Sequence, residues 1–408
     1  MEAKQQHEPR RATQLATTPL VWACGIALVV VGCGKQSPAE GNAQAKPLVE
    51  APVKRSDTFA GAQRAGARPL SNPPPTPPST PPGDVKEISG AGASFPYPAY
   101  SEWASAYKQK TSIQVNYQSI GSGGGIKQVT AGTVDFGASD APLEPKELQD
   151  KGLVQWPMLI GGVVPVINVP GVPKGQLKLT PELIAGLFLG DVKKWNDPRL
   201  TAENPGLRLP DQAVTVVHRS DGSGTSWIFT NYLDKVNPAW KRKVGTGQSV
   251  AWPTGVGGKG NEGVASYVKR LPGAVGYVEY AYALQNDMNT TELRNRDGNF
   301  VAPTAKSFEA AATNAPWQDS PGFYVVLTDQ PGKDTWPITG ATFILMHASQ
   351  TNVNEGRAVL GFVDWAYANG DESASKLDYV PIPDSVVKLV EQEWRDKLRG
   401  PNNQPIWK

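Results

Sequence analysis

Val214-Thr215-Val216-Val217-His218-Arg219-Ser220-Asp221-Gly222-Ser223-Gly224-Thr225 decides the fold class. Its first four residues are a continuous β-branched run, the pattern of a strand buried on both faces. From Arg219 onward the residues turn small and polar, as they do where a strand hands over to a helix. Three more loops of this kind lie upstream. They are Gly90-Ala91-Gly92-Ala93-Ser94-Phe95-Pro96, Gly121-Ser122-Gly123-Gly124-Gly125 and Gly137-Ala138-Ser139-Asp140. Strands alternating with helices across such loops specify an α/β fold.

The spacing of apolar residues supports this reading. Ile113, Val115 and Tyr117 alternate on one strand face, as do Val134, Phe136 and Ala138. Tyr100, Trp103, Ala104 and Tyr107 keep helical spacing after Pro96 and Pro98. Thr180-Pro181-Glu182 reads as an N-cap followed by proline at the first helical position. Further helices are expected over about 261–270, 354–369 and 384–398.

The four loops point to an anion. A helix N-terminus leaves N–H groups unpaired and carries partial positive charge, so it binds anions without net cationic charge. Glycine lets that backbone approach closely, and serine or threonine hydroxyls add donors. Each loop alone is a weak signal. Gly121–Gly125 reads equally as a connector; it is not a P-loop, because Ile126 precedes Lys127 where glycine is required. Neither Gly222-Ser223-Gly224 nor Ala93-Ser94-Phe95 completes a nucleophile elbow. Asp140 fits a turn aspartate as well as an inward carboxylate, and Asp221 fits a simple helix cap. The combination of hydroxyls, helix starts, one arginine and one carboxylate favours a site.

Composition sets the limits. The chain has 408 residues, with 40 Lys+Arg against 38 Asp+Glu, enough for two or three domains and with no charge excess to attract nucleic acid. Three histidines, His7, His218 and His347, are too scattered for a histidine metal site. Both cysteines, Cys24 and Cys33, precede the folded part, which excludes a disulfide scaffold or thiol nucleophile there. Lys4, Arg10 and Arg11 followed by the apolar run Leu20–Val31 read as a signal peptide over 1–32, too short to span a bilayer. Val30-Val31-Gly32-Cys33 resembles a bacterial lipoprotein box, with Cys33 lipidated as the mature N-terminus. Residues 33–85 carry eleven prolines and one aromatic, Phe59, so they form an extended tether and no core.

With Asp140-Ala141-Pro142-Leu143, Asp221-Gly222-Ser223-Gly224-Thr225-Ser226, Gly257-Gly258-Lys259-Gly260-Asn261, Leu271–Tyr280, Trp336-Pro337-Ile338-Thr339 and Phe362–Tyr367, residues 86–408 resemble the phosphate-binding proteins of ABC-type phosphate importers. The resemblance implies a two-lobed periplasmic-binding-protein fold, with lobe I at 86–160 and 337–408 and lobe II at 161–336. It implies phosphate contacts from Ser94, Phe95, Ser122, Asp140, Arg219, Ser223, Gly224 and Thr225, with Asp221 holding Arg219. It also implies a monomer at the periplasmic face that delivers inorganic phosphate to a membrane permease and its ATPase. Ser94 stands where many relatives have threonine. No cofactor or metal is expected.

In the mechanism this suggests, Arg219 and the hydroxyls hold the anion while Asp140 accepts the proton that phosphate still carries. Sulfate has no such proton, so a sulfate or molybdate binder is the weaker reading. The rival from another class is a secreted phosphate monoester hydrolase with Ser94 or Ser223 as nucleophile. It needs an activating base or metal, and His218 is expected on the strand face opposite Arg219.

Overall fold

Leu153–Asn168, a strand of 16 residues, is the spine of the computed structural model, which describes residues 85–407. The expected signal peptide, almost all of the tether and Cys33 lie outside the described residues. Every residue of the strand but Asn168 is buried. Covered on both faces, it has no apolar–polar alternation. Its partner changes halfway. Leu153–Gly162 pairs antiparallel with Thr339–His347, and Val163–Asn168 with Ala274–Glu279. Glycine is required at the change-over, because a Cβ on Gly162 would lie 2.2 Å from the Phe308 ring. A Cβ on Gly161 would lie 2.9 Å from the Phe95 ring.

The sheet runs Gln114–Ser119, Glu87–Gly92, Phe136–Ser139, Thr339–His347, Leu153–Asn168, Ala274–Glu279, Thr215–Arg219, Val256–Gly258. The first three strands are mutually parallel, and so are the last three. Antiparallel pairing through the central strand joins the two sets. Ligands gather at the carboxyl ends of parallel strands. Here those ends lead into Ser94, Ser122, Asp140, the Ser223–Thr225 turn and Asn261.

The helices follow the local signals. Tyr97–Thr111 buries Tyr100, Trp103 and Tyr107 as their spacing predicts. Thr180 caps Pro181–Leu189, its Oγ1 accepting from Leu183 N at 3.3 Å. Gly260–Arg270, Val353–Asn369 and Asp384–Lys397 fall where helices are expected. Trp156, Trp195, Trp240, Trp336 and Trp394 are fully buried in the core around the sheet. The turn Pro321–Phe323 rests on the first half of the central strand, where Gln155 Nε2 donates to Gly322 O at 2.8 Å. Among the described residues no helix is long and apolar enough to cross a membrane.

Candidate functional site

Arg219 ends the strand Thr215–Arg219, and its side chain is almost wholly buried. Asp221 holds it from two sides: Nε donates to Oδ1 at 2.8 Å and Nη2 to Oδ2 at 2.5 Å. Nη1 donates to Thr225 Oγ1 at 3.2 Å. Tyr277 fixes the backbone from behind, its hydroxyl accepting from Arg219 N at 3.2 Å. Burial works against the arginine charge, yet the paired Asp221 raises its pKa above the ordinary value. Burial likewise opposes ionisation of Asp221, and Arg219 overrides it and lowers that pKa. The pair is close to neutral in sum, with the hydroxyls and helix starts around it as further donors.

Those hydroxyls are set as donors. A hydroxyl has one proton and two lone pairs. Ser122 Oγ accepts from Asp140 N at 3.1 Å and Gly224 N at 3.0 Å, leaving its proton free. Ser94 Oγ accepts from Asn261 N at 3.2 Å and Asn261 Nδ2 at 2.9 Å. Thr225 Oγ1 accepts from Arg219 and, at 3.3 Å, from Asn261 Nδ2. Ser223 Oγ caps its own helix by accepting from Ser226 N at 3.0 Å. Ser94, Ser122, Ser223 and Thr225 are all buried.

Asp140 is buried in the same interior, and neither of its carboxyl oxygens has a hydrogen-bond partner in the protein. Burial pushes its pKa up to about 7, against the opposing pull of the Thr342 hydroxyl, Arg219 and Ser122. Near neutral pH it is therefore poised between accepting a proton and holding one. Phe95 is fully buried, its ring packed against Tyr379 with centroids 6.2 Å apart.

A family model described as a PBP superfamily domain matches residues 77–369. The phosphate-binding protein PstS of Pasteurella multocida is 51% identical over 323 residues, 79% of this chain and 94% of that one. PstS of Haemophilus influenzae is 53% identical over 77% of this chain and 94% of its own length. This chain belongs to the PstS family. Its fold is the two-lobed α/β fold of the superfamily. A phosphate-binding protein from Stenotrophomonas maltophilia superposes with a TM-score of 0.58 at 20% identity, covering 76% of this chain and 94% of that one. A high-affinity periplasmic phosphate-binding protein solved with phosphate gives 0.63 at 20% identity, with the same coverage.

In this PstS chain the sequence-predicted residues converge from both halves of the sheet. Ser94, Ser122 and Asp140 come from one half, and Arg219, Ser223, Gly224 and Thr225 from the other. The contact between halves is close: a Cβ on Gly224 would lie 2.4 Å from Ser122 Oγ and 2.6 Å from Asp140 Cβ. Gly224 N is engaged by Ser122. His218 turns away, its ring stacked on Trp252 at 4.8 Å and its Nδ1 3.0 Å from Arg219 O.

Sequence reasoning missed four residues. Thr342 lies beside Asp140 because Phe343 pairs with Ser139 across the antiparallel ladder. Its buried hydroxyl lies outside hydrogen-bond geometry yet close enough to Asp140 to oppose the rise of its pKa. Asn261 bridges Ser94 and Thr225. Tyr282 and Tyr379 reach the carbonyls of Ser94 and Phe95 at 2.7 and 2.6 Å. Tyr379 also lies 2.8 Å from Glu279, whose pKa burial raises well above the carboxylate range. Only the Gly-Gly-Lys-Gly-Asn run offered a signal, since small residues at a strand-to-helix junction mark a ligand-facing turn.

Proposed function

We propose that this chain is the phosphate-capturing component of an ABC-type phosphate importer, working at the periplasmic face. It is a binding protein and not an enzyme. It closes on one phosphate and delivers it to a membrane permease with its ATPase. The observation that carries this reading is Asp140: a buried carboxyl with no protein partner, surrounded by hydroxyls whose protons are free. A carboxylate there suits an oxyanion that still has a proton to give, and monohydrogen phosphate has one where sulfate has none.

Ser94, Ser122, Ser223 and Thr225 donate their hydroxyl protons, Arg219 donates charge-assisted bonds, and Phe95 and Gly224 line the anion, Gly224 N holding Ser122 Oγ. Asp221 keeps Arg219 in place. The lobes are 86–160 with 337–408, and 161–336; the partner change of the central strand at Gly162–Val163 supports that division. The Pro-rich segment tethers a monomer to the membrane through lipidated Cys33. Against a phosphomonoesterase stands His218, whose ring is stacked on Trp252 and is no base for Ser94 or Ser223.

Titration calorimetry with phosphate, sulfate and molybdate tests the proposal. Strong preference for phosphate over sulfate and molybdate is expected above pH 7. Equal heats for phosphate and sulfate, or release of product from a phosphate monoester, would overturn it.

A further inference from the structure

We propose that Asn261 is a positioning residue that fixes the hydroxyls of Ser94 and Thr225 as donors toward the anion; this rests on the phosphate-binding reading above. Asn261 is fully buried in the first turn of the helix Gly260–Arg270. Its amide has one orientation that satisfies its surroundings. Glu279 N, which can only donate, lies 3.0 Å from Oδ1, so the other end must be the Nδ2 amine. The two Nδ2 protons then divide between Ser94 Oγ at 2.9 Å and Thr225 Oγ1 at 3.3 Å.

Both hydroxyls have a second donor on the remaining lone pair. For Ser94 it is Asn261 N at 3.2 Å, and for Thr225 it is Arg219 Nη1 at 3.2 Å. With both lone pairs occupied, each hydroxyl can only donate its own proton onward. A hydroxyl free to rotate would spend part of its time presenting a lone pair to an anion. It would also lose rotational freedom on binding. Ser122 is polarised in the same sense by two backbone N–H groups, Asp140 N and Gly224 N. Asn261 is the side chain that does this for the other two. It also ties the loop after the strand Glu87–Gly92 to a helix start 167 residues away. The bridging contact therefore exists only when the two loops meet around the site.

A double-mutant cycle read by phosphate calorimetry tests the assignment. Asn261→Ala in the wild-type background is expected to weaken phosphate binding about 10- to 100-fold. In a Ser94→Ala background the same change is expected to cost less than a third of that factor, because one of its two targets is gone. The ligand-free unfolding midpoint should fall in both backgrounds, since Glu279 N loses its acceptor in each. Should Asn261→Ala not fold, Asn261→Ser goes through the same cycle with the same expectation. An equal fold-loss in both backgrounds, or a loss under twofold in the wild type, would overturn the assignment while leaving phosphate binding intact. Absence of phosphate binding by the unsubstituted chain would instead overturn the functional reading beneath it.

Discussion

Arg219 sets the energetic ranking among the site residues. Removing it deletes a buried full charge and leaves Asp221 with Gly260 N, at 3.1 Å, and its own backbone N–H as donors. Truncating one partner of a buried charge pair costs about 2–5 kcal/mol of affinity. Ser122→Ala removes one donor to the ligand and orphans Asp140 N and Gly224 N, a change worth about 1–3 kcal/mol. Arg219→Ala is therefore expected to be the costlier of the two in calorimetry, and equal losses would contradict the ranking. Asp140 predicts a pH dependence. Its folded-state pKa, about 7, lies above the ordinary aspartate value of 3.8, so between these values the folded state binds more protons than the unfolded one. Stability of the ligand-free protein should then fall as pH rises from about 4 to 7, by at most about 1.4 kcal/mol per unit. Asp140→Asn should flatten that slope in denaturant unfolding. It should not abolish it, because Glu279 is raised as well and contributes with the same sign. Below about pH 7 a protonated Asp140 can also donate to sulfate, so discrimination in competition titrations should sharpen as pH rises.

Elements bring these side chains together, and one tight juncture is the first turn of the helix Gly224–Val236. A Cβ on Gly224 would overlap Ser122 Oγ, Asp140 Cβ and Asp140 N, all within 2.7 Å and all backbone or close to it. Since those atoms belong to the opposite half of the sheet, Gly224→Ala should hold the halves apart without disturbing either one. Phosphate affinity is expected to drop at least about 100-fold, while the ligand-free unfolding midpoint moves by no more than a few degrees. A large loss of stability without ligand would show that the contact belongs to the fold itself. The local elements were legible wherever one signal fixed them. Thr180 with Pro181 marked a cap, and Tyr100, Trp103 and Tyr107 marked a helix face. The central strand was not legible, because Pro157, Gly161, Gly162 and Pro165 interrupt it and burial on both faces removes its alternation. Thr342 and Asn261 were hidden for a different reason. Their roles follow from register and from contacts across 167 to about 200 residues, which no local spacing encodes.

At the scale of the whole molecule, the described residues 85–407 hold every group named in the site. The four loops could be read as one site because each carries the same chemistry, and resemblance across 86–408 then assigned their roles. Every donor and acceptor named in the site lies between Ser94 and Tyr379, inside the 85–407 span. Binding and anchoring should therefore separate cleanly. A fragment of residues 86–408 should bind phosphate within about twofold of the full chain and gain the thermal stabilisation that ligand linkage requires. Cys33→Ser in the full chain should leave that affinity unchanged and move the protein from the membrane fraction to the soluble one. Weaker binding by the fragment would assign the tether a part in the site. A full chain that stays membrane-bound as Cys33→Ser would overturn lipidation of Cys33 as the anchor.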